Sequence, residues 1–98
     1  MKLVRTTVKT NAQAQKIVSM LLKAGAACIS YWKIKSTYTW NGKKVDENEY
    51  ALEAKCDNGR AKKIVKMLEK THPYDTPMIL VLRVSKINKK YRRWLRKQ

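Results

Sequence analysis

Apolar positions along this chain fall into two rhythms. Residues 2–8 (KLVRTTV) read as a short strand. Thr10 then reads as a helix N-cap, with Gln13 placed to close a capping box. Ala14, Ile17, Val18, Leu21 and Leu22 follow at helical spacing, and Gly25 is placed as the C′ stop, giving a helix over about 11–24. Residues 26–40 are rich in β-branched and aromatic types, with Trp32, Ile34, Tyr38 and Trp40 on one parity, as a strand face requires. A strand this long is expected to bend or bulge. Asn41-Gly42 predicts a type I′ turn, because both residues tolerate positive φ, and residues 44–56 return as the partner strand.

The second half repeats the order. Asp57-Asn58-Gly59 breaks the strand and opens a helix with Ala61, Ile64, Val65 and Leu68 inside and Lys62, Lys63, Lys66 and Lys70 outside. His72-Pro73 ends it, since a residue before proline disfavours the α region. Met78 to Val84 is apolar almost throughout and is expected to form a central buried strand. Residues 88–97 predict a last helix with Tyr91, Trp94 and Leu95 on one side. The order β-α-β-β-α-β plus a terminal helix predicts an α+β, ferredoxin-like antiparallel sheet with two helices on one face. Its other face then needs cover for Trp32, Tyr38 and Trp40, and the simplest cover is another copy of the chain.

Composition narrows the function. Ninety-eight residues are expected to make one domain over 1–98. No apolar run approaches a membrane span of ~20 residues, and Met1 to Arg5 lacks the apolar stretch of a signal peptide, so a cytoplasmic protein is expected. Two cysteines are too few for a disulfide scaffold. No P-loop, GxGxxG or nucleophile elbow is present, so an enzyme is not expected.

The residues in order carry a resemblance. Ala26-Ala27-Cys28-Ile29, Ser36-x-Tyr38-x-Trp40-x-Gly42-Lys43, Glu47-x-Glu49, Lys55, His72-Pro73-Tyr74-Asp75-x-Pro77 and Tyr91-x-x-Trp94-Leu95 resemble the CutA-type divalent-cation tolerance proteins. The resemblance implies a ferredoxin-like subunit in a homotrimer, with Trp32, Ile34, Tyr38 and Trp40 between subunits. It also implies an intersubunit cleft and a link to copper and other divalent metals. Candidate metal ligands are Cys28, His72, Glu47, Glu49 and Asp75, with Trp40, Lys55 and Tyr74 lining the cleft. Copper(II) favours imidazole and copper(I) thiolate. The pattern departs from copper-binding members at Thr71, where a second His is expected, and at Thr6 and Thr7, where a Cys is expected. Cys56 stands for a Thr and Asp75 for a Glu. Read without the resemblance, Cys28 is a small buried apolar residue and His72 a helix-ending residue satisfied by a backbone or carboxylate partner.

Charge adds an alternative. Lys plus Arg is 23 and Asp plus Glu is 7, a net +16. Residues 83–98 hold eight cations and no acid. Lys89, Arg92, Arg93 and Arg96 on the last helix are the candidate contacts for nucleic acid or another polyanion. The first strand carries no aromatic and the third lacks the K/R-G-F/Y pattern. Any such binding is therefore expected through phosphates rather than base stacking.

Overall fold

The computed structural model describes residues 1–98. The elements are β1 (Lys2–Val8), α1 (Asn11–Lys23), β2 (Cys28–Trp40), β3 (Lys43–Cys56), α2 (Ala61–Thr71), β4 (Ile79–Arg83) and α3 (Lys89–Arg96), with one 3₁₀ turn at Asn58–Arg60. The four strands form one antiparallel sheet in the order β2-β3-β1-β4, the ferredoxin-like arrangement.

Local chemistry explains the boundaries. Thr10 Oγ1 accepts from the Gln13 backbone N–H at 3.1 Å, and Gln13 Oε1 accepts from the Thr10 N–H, so the capping box is closed. At the other end of α1, Gly25 sits at φ 105°. Its N–H donates to Leu22 O and that of Ala26 donates to Leu21 O, a Schellman pair that satisfies two terminal carbonyls. Asn41 and Gly42 take φ 51° and 77°, the type I′ turn that matches strand twist.

Residues 14, 17 and 21 of α1 and 61, 64 and 68 of α2 bury against Val4 and Val8 of β1 and Leu52 and Ala54 of β3. Burying that apolar area, at roughly 25 cal/mol per Å², is what holds both helices to one face.

Two expectations need correction. β2 has no bulge: every residue from Cys28 to Trp40 faces one partner, from Cys28↔Lys55 to Trp40↔Lys43. A hairpin twists as a two-stranded ribbon and needs no extra residue to leave the body of the sheet. The strand at 79–83 is not central. It is an edge strand on β1, with Leu80 and Val81 exposed. Its apolar run therefore has no neighbour on one side within the chain.

Candidate functional site

Residues directly opposite across an antiparallel pair share a face. Trp32, Ile34, Ser36, Tyr38 and Trp40 of β2 thus lie with Ala51, Glu49, Glu47, Val45 and Lys43 of β3, on the face away from the helices. Trp32 is 45% exposed, Tyr38 39% and Trp40 57%, and Leu80 of β4 joins the same face at 46%. No element of the chain covers these side chains.

At one end of this face the loop after α2 folds over the sheet. His72 caps α2 with φ −64° and ψ 136°, extended as a residue before proline must be. Its Nδ1 accepts the Tyr74 backbone N–H at 3.0 Å. A backbone N–H can only donate, so the ring proton sits on Nε2. Nε2 donates to Thr7 O at 2.9 Å and lies 2.9 Å from Thr6 Oγ1. Burial pushes the His72 pKa down, against smaller opposing effects of the Thr7 carbonyl and Glu49. Protonation at Nδ1 would also set one N–H against another. His72 is a neutral brace between the loop and β1, with both ring nitrogens engaged.

The brace presents Tyr74 to the open face. Its hydroxyl donates to Glu49 Oε2 at 2.7 Å, and Glu49 is 7% exposed. Burial, then the hydrogen bond to Glu49, push the Tyr74 pKa far up. The Glu47 carboxylate beside the Tyr38 hydroxyl raises that phenol too. Tyr38, Glu47, Glu49 and Tyr74 therefore form a cluster of carboxylates and protonated phenols. Ile34 and Glu49 also line a cavity of about 520 Å³ with Lys9, Lys33 and Asn48.

The remaining candidates lie elsewhere. Cys28 starts β2 opposite Lys55, whose partner on β1 is Leu3, whereas His72 holds Thr6 and Thr7. At ~3.3 Å per residue along a strand and ~4.8 Å between strands, Cys28 and His72 of one chain are more than ~10 Å apart. Lys55 Nζ donates to Ser30 Oγ at 2.7 Å. Asp75 is exposed in the loop, and Trp40 stands at the hairpin tip. No three His, Cys, Asp or Glu side chains converge within the chain. A divalent cation held by protein usually needs three or four donors. One subunit therefore does not fit a divalent cation by itself. Cys56 is buried, its thiol pKa pushed up by burial, with Sγ 3.7 Å from Lys2 O.

Sequence reasoning missed Thr6 and Thr7 as partners of His72. The positions stand out only as departures from the family pattern, and the contact spans 65 residues of chain.

Residues 2–98 match the family described as CutA1 divalent ion tolerance protein. The chain belongs to the CutA family. A divalent-cation tolerance protein CutA from Thermotoga maritima is 36% identical over 97 residues, 98% of this chain and 96% of the relative. The crystal structure of CutA1 from Pyrococcus horikoshii superposes with a TM-score of 0.93 at 30% identity, covering 99% of this chain and 96% of that one. A CutA from Archaeoglobus fulgidus, described as periplasmic, has a TM-score of 0.91 at 25% identity over 99% of this chain and 97% of its own. The CutA fold is thus shared across the whole length. No helix is long and apolar enough to cross a membrane.

Proposed function

We propose that residues 1–98 act as one CutA-like domain that assembles into a homotrimer and serves divalent-cation tolerance by binding rather than by catalysis. The observation that supports this most is the uncovered aromatic face of β2. Trp32, Tyr38 and Trp40 carry large apolar area into water, and Ile34 lies among them. Aromatic side chains dominate interface energetics, so pairing hairpins from neighbouring subunits is the natural way to bury them. Two free thiols favour a reducing compartment, and we place the protein in the cytoplasm.

The ligand site in this reading lies between subunits. Each chain offers Glu47 and Glu49, with Trp40, Tyr74 and Lys55 along the cleft wall. Cys28 and Asp75 are the remaining donors, contributed across the boundary. Carboxylates and phenols are hard oxygen donors, and a site completed only by a neighbour binds copper(II) or another divalent cation weakly. His72 is a positioning residue here, because both of its nitrogens are engaged.

Titration calorimetry of copper(II) into the wild type, Glu47→Gln/Glu49→Gln and His72→Ala tests this. Loss of the heat signal in the double variant supports the cleft. Full loss in His72→Ala, with assembly intact, would return His72 to the ligand set. Equal heats in all three would remove the metal reading.

A further inference from the structure

Six cations occupy the solvent side of α3: Lys89, Lys90, Arg92, Arg93, Arg96 and Lys97, all exposed. At 100° per residue they cover roughly half the helix circumference without interruption. The opposite side carries Leu95, which is buried, and Tyr91, which is half-buried and stacks on Trp94 with ring centroids 5.5 Å apart. None of the six has a carboxylate partner, because the one ion pair in the chain joins Arg5 to Glu53.

This arrangement works against folding. Lys89 and Lys90 stand in the first turn of α3, where the helix dipole disfavours positive charge, and Asn88 supplies no side-chain cap. Lys2 and Arg83 face each other directly across β1 and β4, and like charges so placed repel. They line a cavity of about 570 Å³ at the same end of the sheet, with Asn58 and Ser85. A surface tuned only for solubility would intersperse both signs. Local rules broken without a folding gain mark a functional surface.

The surface is also held still. Arg60 Nη1 donates to Gln98 O at 2.8 Å and to Gly25 O at 3.0 Å, tying the end of α3 to the start of α2 and the end of α1. Lys62 and Lys63 follow directly on α2. Three of the seven acids, Asp46, Glu47 and Glu49, sit away from this pole in the hairpin arm, and Asp57 is the acid beside the 3₁₀ turn.

We propose that α3 and the adjoining pole of the chain form a sequence-independent binding surface for the phosphate backbone of nucleic acid. Charge complementarity selects this occupant. The apolar side of α3 seats Leu95 and part of Tyr91 against the protein and leaves only the Trp94 ring, 41% exposed, open to solvent, which is not the broad apolar face that an interfacial membrane helix inserts into a bilayer. Its outward surface is otherwise six cations, which release counterions from a polyphosphate chain. This inference is independent of the cleft.

The test is fluorescence anisotropy with a fluorescein-labelled mixed-sequence DNA duplex and the full chain, across a salt series. Binding is expected to weaken on the order of 10³-fold between 50 mM and 200 mM salt if about six phosphates are contacted. A scrambled duplex is expected to bind equally. Arg92→Glu/Arg96→Glu should lower the salt slope by about one or more. Lys9→Glu/Lys16→Glu, with the same change in net charge just before and within α1, should bind nearly as the wild type does. Circular dichroism confirms that each variant is folded, and Arg92→Gln/Arg96→Gln serves if the reversal unfolds the chain. Absence of binding at 50 mM salt, equal loss in the α1 and α3 variants, or binding only to phosphatidylserine vesicles would each overturn the proposal.

Discussion

The hydroxyl of Tyr74 donates a 2.7 Å hydrogen bond to Oε2 of Glu49, joining the loop after α2 to the middle of β3. Glu49 is one of two buried polar residues, and this phenol is the donor that makes its burial tolerable. Tyr74→Phe removes the donor and leaves the carboxylate short of a partner. The expected cost is about 1–3 kcal/mol, read as a lower urea midpoint at unchanged m value. Glu49→Gln in the Tyr74→Phe background should recover part of it, because a neutral amide costs less to bury than a charge.

His72 sets a pH dependence. Its folded-state pKa is lowered by burial, below the unfolded value of about 6.5. The unfolded chain therefore takes up a proton first on acidification, and stability falls. The contribution is fully present above the unfolded pKa and is lost as pH drops through the folded one. Urea midpoints at pH 7.5 and 5.5 are expected to separate for the wild type. They should separate less for His72→Gln, which cannot titrate. Identical separation in the two would assign the effect to other groups.

Trp40 is the most exposed aromatic of the open face, at 57%. Trp40→Ala should leave the monomer fold intact, since nothing in the chain packs over it. It should weaken self-association by about 2 kcal/mol or more if Trp40 is an interface anchor. Sedimentation velocity at micromolar concentration reads this directly. Unchanged assembly would move the anchor to Trp32 or Tyr38.

Gly25 combines φ 105° with a close neighbour. A Cβ there would lie 3.0 Å from Arg60 Cδ. Gly25→Ala is expected to cost about 1–2 kcal/mol from backbone conformation alone. It should also disturb Arg60, whose guanidinium holds both Gly25 O and Gln98 O. Gly42, at φ 77° with open space around it, carries only the conformational cost.

Much of the fold was legible because its signals are local. Thr10 with Gln13, Gly25, Asn41-Gly42 and His72-Pro73 each fix a boundary through the backbone of a few residues, and all four act as expected. The misplaced strand shows the limit. An apolar run reports burial, but Ile79–Arg83 lies at a sheet edge, where Leu80 and Val81 have no neighbour on one side within the chain and stay exposed. The site was half legible. Glu47, Glu49, Tyr38 and Tyr74 come together because register and loop length bring them there. Cys28 and His72 are a soft-ligand pair by chemistry, and within one chain they stand at opposite ends of β1, so that pairing rests on a neighbouring subunit. Thr6 and Thr7 were silent, since a threonine on a strand announces no partner.

In the proposed assembly the aromatic face of β2 is covered by other copies of the chain. Multi-angle light scattering on the dilute protein in near-physiological salt measures this most directly. A particle of three times the chain mass of 11.5 kDa, persisting at micromolar concentration, is expected. A stable, fully folded particle of 11.5 kDa would contradict it, and the intersubunit cleft would go with it.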